Sequence, residues 1–120
     1  MSSSLLAHAL PSPGLNTILY NVDSNSAYLM CDLVITNLND TGLTFNLALT
    51  RNLQPSTEDY IRSYTTPITN SNNENVNHFI INDIFVGTGE NIIVYTSLPN
   101  ISFRLTGYPY PFNNQQFNIN

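Results

Sequence analysis

The chain has no lysine, no tryptophan and a single cysteine, and its apolar runs are all shorter than the ~20 residues of a membrane-spanning helix. Its 120 residues include only three basic side chains, all arginine, against eight acidic ones, so the formal net charge is −5. Charged residues make up 9% of the chain, compared with roughly 25% in average soluble proteins. Nucleic acids and anionic membranes both bind clustered cations, so the sequence argues against either as a partner.

The scarcity of charge and of cysteine also limits the chemistry that we expect. General acid–base catalysis draws on residue types that are rare here, and we predict that the chain is not an enzyme. The lone Cys31 cannot form an intrachain disulfide. In its alternating apolar run it is typical of a small buried side chain rather than of a nucleophile. His8 and His78 stand in no catalytic motif.

The sequence also gives little support for a metal site or a phosphate site. Glu58 and Asp59 are adjacent, and in a predicted strand neighbouring side chains face opposite sides, so the two carboxylates do not converge. Asn82 and Asp83 lack the further oxygen ligands of a calcium loop. The Gly-Thr-Gly segment at 87–89 is followed by neither a lysine nor a helix. We therefore expect no metal, no cofactor and no catalytic residue.

What the chain does have is asparagine, 19 residues by count, interleaved with apolar side chains at a period of two. Between residues 42 and 50, Leu43, Phe45, Leu47 and Leu49 point one way and polar residues alternate with them, the pattern of a half-buried strand. A polar second face favours antiparallel pairing. Seven segments are strand-like in this sense: residues 17–22, 28–37, 42–50, 58–65, 77–86, 91–98 and 100–107.

Short strands separated by turn signals predict an all-β fold, an antiparallel β-sandwich of jelly-roll or Ig-like type with about seven strands and extended termini. We find no window of ten or more residues with the 3.6-residue period of a helix. The long run at 77–86 is expected to bend near Asn82 and Asp83. The side chains predicted to face the core are Leu29, Leu33, Ile35, Phe45, Leu47, Val94, Phe103 and Leu105.

The two ends of the chain differ from the middle. We predict an extended N-terminal arm at 1–16, a β-sandwich domain at 17–107 and an aromatic, proline- and asparagine-rich tail at 108–120. The prolines of both ends disfavour helix and central strand. Their apolar side chains favour docking on a neighbouring subunit over exposure to water. The candidate subunit contacts are Leu5, Leu6, Leu10, Tyr108, Tyr110, Phe112 and Phe117.

The order of the segments carries a further signal. A strand reading Thr-Ile-Leu-Tyr-Asn-Val at 17–22 is followed by an apolar strand that ends in Thr36-Asn37. A strand with Tyr60-Ile61 then leads to Thr66-Pro67-Ile68, and a Gly-Thr-Gly-Glu turn precedes Ile-Val-Tyr-Thr-Ser and the closing Asn-Ile-Ser-Phe-Arg-Leu-Thr-Gly at 100–107. Over about residues 10–108, the chain in this order resembles small β-sandwich virion structural proteins of tailed bacteriophages, decoration or tail-associated.

The resemblance implies a non-enzymatic structural role in the virion, either decorating or cementing the capsid or forming part of the tail or fibre assembly. It implies other virion proteins as partners and a homo-oligomer, with a trimer as the first expectation. The Asn-rich loop at 70–77 and the tail at 108–120 depart from the family pattern, so specific contacts are expected to differ there. One alternative stays open, since tyrosine and asparagine also suit a carbohydrate-binding module that contacts host glycans.

Overall fold

The structure, a computed structural model, describes residues 4–39, 43–66 and 78–112, with the backbone alone at position 43 and at 61–66. Eight strands follow one another, and a 3₁₀ turn at Thr57–Asp59 precedes the fifth. The strands are β1 (Ser4–Ala9), β2 (Thr17–Asn21), β3 (Ser26–Asn37), β4 (Leu43–Thr50), β5 (Tyr60–Thr66), β6 (His78–Gly87), β7 (Asn91–Thr96) and β8 (Ile101–Pro111).

The strands form two four-stranded antiparallel sheets, in the orders β1-β8-β3-β6 and β2-β7-β4-β5. Every connection except that from β4 to β5 passes from one sheet to the other. Eight strands in this double-sheet order are a jelly roll. The predicted antiparallel β-sandwich is confirmed, and of the two predicted types it is the jelly roll that the strand order matches.

The core lies between the two sheets, because each sheet turns one apolar face inward. All eight side chains predicted to face the core have an exposed fraction of 0%. Phe45 of β4 and Phe103 of β8 come from opposite sheets, and their rings meet edge to face with centroids 6.2 Å apart. The period-two alternation therefore assigned the inner face of both sheets correctly.

β6 bends where the sequence predicted it. Asn82 and Asp83 form a bulge opposite β3, where the pairing register shifts, and Asp83 adopts a positive φ of 62°. The Asp83 N–H donates to Asp32 Oδ1 at 2.9 Å. Because the bulge adds a residue, Ile81 and Ile84 both reach the core although they are three positions apart.

The N-terminal segment corrects one prediction. Residues 1–16 were expected to form an extended arm outside the sandwich, but β1 pairs with β8 and adds an eighth strand. The register of this pair shifts between Leu5 and Ala7. A bulge at this point breaks the alternation of side chains, so period-two reasoning did not detect the strand.

The C-terminal boundary also changes. The predicted tail at 108–120 begins inside β8, which continues to Pro111 while paired with β3. Beyond Gly107, the partner of Ser4, the described part of β1 provides no pairing on the other side. Pro109 and Pro111 are two positions apart, so both turn their missing N–H the same way, away from β3. Residues 113–120 and the Asn-rich loop at 70–77 lie outside the described residues.

The adjacent acids Glu58 and Asp59 lie in the 3₁₀ turn rather than at the start of a strand. Asp59 Oδ2 accepts a hydrogen bond from the Ser56 N–H at 2.8 Å and one from the Ser56 hydroxyl at 3.1 Å. The backbone hydrogen bond from Ser56 is the main cause of the lowered pKa of Asp59. Its carboxylate thus holds a turn together.

Candidate binding face

The outer face of the β1-β8-β3-β6 sheet carries the side chains that alternate with core residues. Its central strands contribute tyrosine, methionine and valine together with single charged groups. The β3–β8 register sets four pairs side by side: Tyr28 with Tyr110, Met30 with Tyr108, Asp32 with Thr106, and Val34 with Arg104. On the other side of β3, the β6 register adds Phe85 beside Met30 and Ile80 beside Val34.

Four rings contact one another in succession around Met30 at one end of this face, and we call Phe85, Tyr28, Tyr110 and Tyr108 the aromatic row. The Tyr28 and Tyr110 rings are stacked, with centroids 4.6 Å apart and planes inclined by 10°. Phe85 lies 5.1 Å from Tyr28, and Tyr108 meets Tyr110 at 4.9 Å and 83°. Such pairs each contribute about 0.5–1.5 kcal/mol beyond the area that they bury, so the rings hold one another in place.

A cleft of about 180 Å³ opens beside the aromatic row, over the bulge in β6. Asp32 uses Oδ1 to accept from the Asp83 N–H. Among the described residues, its second oxygen, the Asp83 carboxylate and the two tyrosine hydroxyls of the cleft make no hydrogen bond. These four polar groups face solvent and are available to a ligand. We call this site the bulge cleft; its lining residues are Met30, Cys31, Asp32, Asp83, Gly107, Tyr108 and Tyr110.

Gly107 forms part of this cleft because β3 and β8 approach closely there. A Cβ at this position would lie 2.5 Å from the Met30 carbonyl oxygen and 2.7 Å from the Cys31 Cβ. Real Cβ atoms do not tolerate such contacts, so the pairing of Gly107 with Cys31 requires a residue without a side chain.

Cys31 is buried, as the sequence predicted, with an exposed fraction of 3%. Its thiol donates to the Ile84 carbonyl, with Sγ 3.6 Å from the oxygen. Burial, and secondly the negative charge of Asp32, raise the pKa of Cys31 to about 12. The thiol therefore stays protonated at neutral pH and is not a nucleophile.

The two histidines are exposed and lie on different strands, and neither is the strand partner of Cys31. His8 of β1 faces Arg104, and His78 at the start of β6 faces Thr36. Within the described ranges, no group of three or more His, Cys, Asp and Glu side chains lies together as a metal site would require. In the same part of the chain, no helix is long and apolar enough to cross a membrane.

Three of the predicted subunit contacts, Leu5, Tyr108 and Tyr110, lie on the candidate binding face by strand register. Tyr108 and Tyr110 belong to the aromatic row, and Phe112 follows directly with 45% of its surface exposed. Leu5 on β1 is also 45% exposed, and Leu10 follows β1 with 63%. Leu6 packs partly against the core, and Phe117 lies outside the described residues.

Sequence reasoning missed the partners of those tyrosines, which come from other strands. The strand register places Tyr28, Met30 and Phe85 next to Tyr108 and Tyr110. This register cannot be read from the sequence. One signal was available, because β3 is apolar on both faces over much of its length. A strand of that kind is typical of a sheet that is covered on both sides.

The outer face of the β2-β7-β4-β5 sheet is buried at its centre, although Ile18 on the edge strand β2 is 42% exposed. Ile93 alternates with core residues along β7, yet its exposed fraction is only 1%. In the loop after β4, the Asn52 carbonyl accepts from Asn91 Nδ2 at 3.1 Å, and Gln54 Oε1 accepts from Asn16 Nδ2 at 3.0 Å. These two hydrogen bonds join the loop after β4 to the start of β7 and to the residue that precedes β2.

Comparison with protein-family models, with curated proteins and with solved structures gives no match to this chain. The side chains of the candidate binding face and the jelly-roll fold are therefore the guides to function.

Proposed function

We propose that the chain is a non-enzymatic structural protein of a bacteriophage virion. It decorates or cements the capsid, or it forms part of the tail or fibre assembly. The observation that carries this proposal is the apolar outer face of the β1-β8-β3-β6 sheet, where Ile80 is 49% and Phe85 is 59% exposed beside the tyrosines. Large exposed apolar patches on soluble proteins mark contact surfaces.

The fold and the sequence support the same reading. Double-sheet jelly rolls build viral capsid domains as well as lectins. This is an analogy of fold, which does not by itself assign a function, and it agrees with the resemblance to phage virion proteins. With 9% charged residues, contacts of this surface depend mainly on apolar packing and uncharged hydrogen bonds, which salt screens little.

The same face supports assembly into a homo-oligomer, for which a trimer is our first choice. Leu5 and Phe112 bring both ends of the described chain to this sheet, so each copy has apolar side chains at the border of the face as well as within it. A contact between different parts of the face forms a ring of identical subunits if the rotation from one copy to the next closes. The other partners are capsid or tail proteins; with only three arginines as cations, neither nucleic acid nor membrane is proposed.

The experiment is to identify the protein in purified phage particles by mass spectrometry and then to locate its density on the head or tail. A variant with Ile80→Ser and Phe85→Ser is expected to fold and to lose incorporation, because both side chains are already exposed. Leu53→Ser is the matched control, since Leu53 is 70% exposed in the loop over the other sheet. Absence of the protein from particles, or normal incorporation of the double variant, contradicts the proposal.

A second candidate is carbohydrate binding, and the bulge cleft is the observation that favours it. Carboxylates and tyrosine hydroxyls without hydrogen-bond partners in the described chain match the hydroxyl groups of a sugar. A glycan array tests this candidate directly. Saturable binding that is lost when one exposed tyrosine is changed supports it, and a blank array counts against it.

A further inference from the structure

We propose that the bulge cleft binds one uncharged sugar residue of a glycan. The inference rests on the second candidate function and goes beyond it by assigning the site, the class of ligand and the side chains that recognise it. Asp32 and Asp83 accept hydrogen bonds from sugar hydroxyls, Tyr108 and Tyr110 donate or accept further ones, and Met30 contacts the apolar part of the ring.

The charges of the cleft exclude acidic ligands. Two carboxylates line it, and no lysine or arginine is among its lining residues. An ionised carboxylate accepts hydrogen bonds only and repels phosphate, sulfate and sialic acid. Arg104 belongs to the same face but lies beside Val34, one pair further along the sheet than Asp32. The ligand must therefore bring hydrogen-bond donors and no negative charge.

The packing of the rings argues against an organic cation. A quaternary ammonium group binds over the open faces of aromatic rings. Here Tyr110 stacks at 4.6 Å on Tyr28 and meets Tyr108 at 4.9 Å, so much of its ring surface is already in contact. The tyrosines keep their hydroxyls, which form no hydrogen bond within the described part of the chain. A quaternary ammonium group has no N–H to donate to these hydroxyls or to the carboxylates, whereas sugar hydroxyls can bond to both.

The size of the cleft sets the size of the ligand. Its volume of about 180 Å³ is below the ~300–1,000 Å³ of pockets that enclose drug-sized molecules. One sugar ring is the natural occupant, with the rest of the glycan in solvent. Binding to a single copy is accordingly expected to be weak.

The test is a nuclear magnetic resonance titration of the labelled full chain with glucose, galactose, mannose and N-acetylglucosamine. Sialic acid and choline serve as the anionic and cationic comparisons. At least one neutral sugar is expected to shift the backbone amides of Met30, Asp32, Asp83 and Tyr108, with no comparable shift from either charged probe. The proposal is overturned if none of the four sugars moves these amides, or if choline or sialic acid moves them more.

Tyr108→Phe removes one hydroxyl and keeps the ring, and it is expected to weaken sugar binding about five- to tenfold, the effect of one hydrogen bond. Asp83→Asn, which keeps the N–H that bonds to Asp32, is expected to cause a similar loss. Tyr95→Phe, on the outer face of the other sheet, is the matched control and should bind like the unchanged chain.

The outcomes separate this inference from the functions on which it builds. A positive glycan array with undiminished binding by Tyr108→Phe and Asp83→Asn keeps carbohydrate binding and rejects this cleft as its site. A blank array together with a negative titration rejects both. Incorporation into phage particles is measured independently, so the virion proposal stands or falls on its own result.

Discussion

Ile93 and Ile80 are both isoleucines on the outer face of a sheet, and their exposed fractions are 1% and 49%. Ile93 lies on the central strand β7, near a loop of the same chain that is hydrogen-bonded to Asn91 through Asn52 and to Asn16 through Gln54. Ile80 has no such cover among the described residues. Ile18, the strand partner of Ile93 on the edge strand β2, is 42% exposed. The outer faces of both sheets are therefore open at an edge strand, and that of the second sheet is closed at Ile93.

The difference indicates which part of the surface is buried within the single chain and which part is open to a second molecule. The buried centre of the second sheet's outer face adds to the stability of the isolated chain, because its apolar groups are already removed from water. The open face adds little until something binds there. Substitutions on the two faces should thus have separable effects, one on folding and the other on association.

The largest effect is expected in the core that both sheets share. Phe45→Ala should lower the free energy of unfolding by about 3–5 kcal/mol, because it leaves a cavity between the sheets. Phe85→Ala, the same change on the open face, should cost only about 1–2 kcal/mol, mainly through its lost contact with Tyr28. Denaturant unfolding measures both. Equal losses would mean that Phe85 is covered within the isolated chain.

The comparison of the two faces is tested most directly by its two isoleucines. Ile93→Ala should cost about 2–4 kcal/mol, since it leaves a cavity at a fully buried position. Ile80→Ala should stay within about 0.5 kcal/mol of the unchanged protein. If thermal unfolding shows the two variants to be equally stable, Ile93 is not buried in solution.

A smaller loss is expected where β3 and β8 approach each other under the open face. Gly107→Ala forces a Cβ to within 2.5 Å of the Met30 carbonyl oxygen and should cost about 1–3 kcal/mol through strain. Gly87→Ala is the matched control, because its new Cβ meets nothing nearer than 3.6 Å. A stable Gly107→Ala variant would show that the strands can separate here without loss.

The smallest effect near neutral pH is expected for Cys31. Its titration tests whether water reaches the thiol, which lies beneath the open face. The pKa of Cys31 is raised from 9.0 to about 12 in the folded chain. The stability that this group contributes is complete below 9.0 and is lost as the pH rises towards 12. The free energy of unfolding should fall over this range more steeply in the unchanged chain than in Cys31→Ala. Identical pH profiles would mean that water reaches the thiol.

The inner faces could be predicted from the sequence because alternation is a local property. Leu29, Leu33 and Ile35 occupy alternate positions of one strand. Because one face of the sheet is buried, all three side chains point into the core. β1 escaped the same reasoning because a bulge shifts its register between Leu5 and Ala7. β8 was predicted too short because Pro109 was taken to end it, although proline is tolerated on an unpaired edge.

The candidate site was harder to predict, because it depends on contacts between strands that are distant in sequence. Tyr108 and Tyr110 were named from the sequence as contacts, but nothing local placed Tyr28 or Asp32 beside them. The bend at Asp83 was expected, whereas its hydrogen bond to Asp32 depends on the pairing of β3 with β6. Strand order decides which polar groups share a cleft, and that order is a property of the whole fold.

The place of β8 between β1 and β3 has a consequence for how the chain folds during synthesis. β1 is synthesised before the other strands, but it pairs with β8, which contains Gly107. β1 therefore stays unpaired until nearly the whole sandwich has been translated. β3 waits too, since both of its neighbours, β6 and β8, follow it in sequence. Such non-local pairing is slow, typically milliseconds to seconds. Until β8 leaves the ribosome, β3 has one edge unpaired and apolar residues on both faces, which makes the nascent chain most prone to aggregation at that stage.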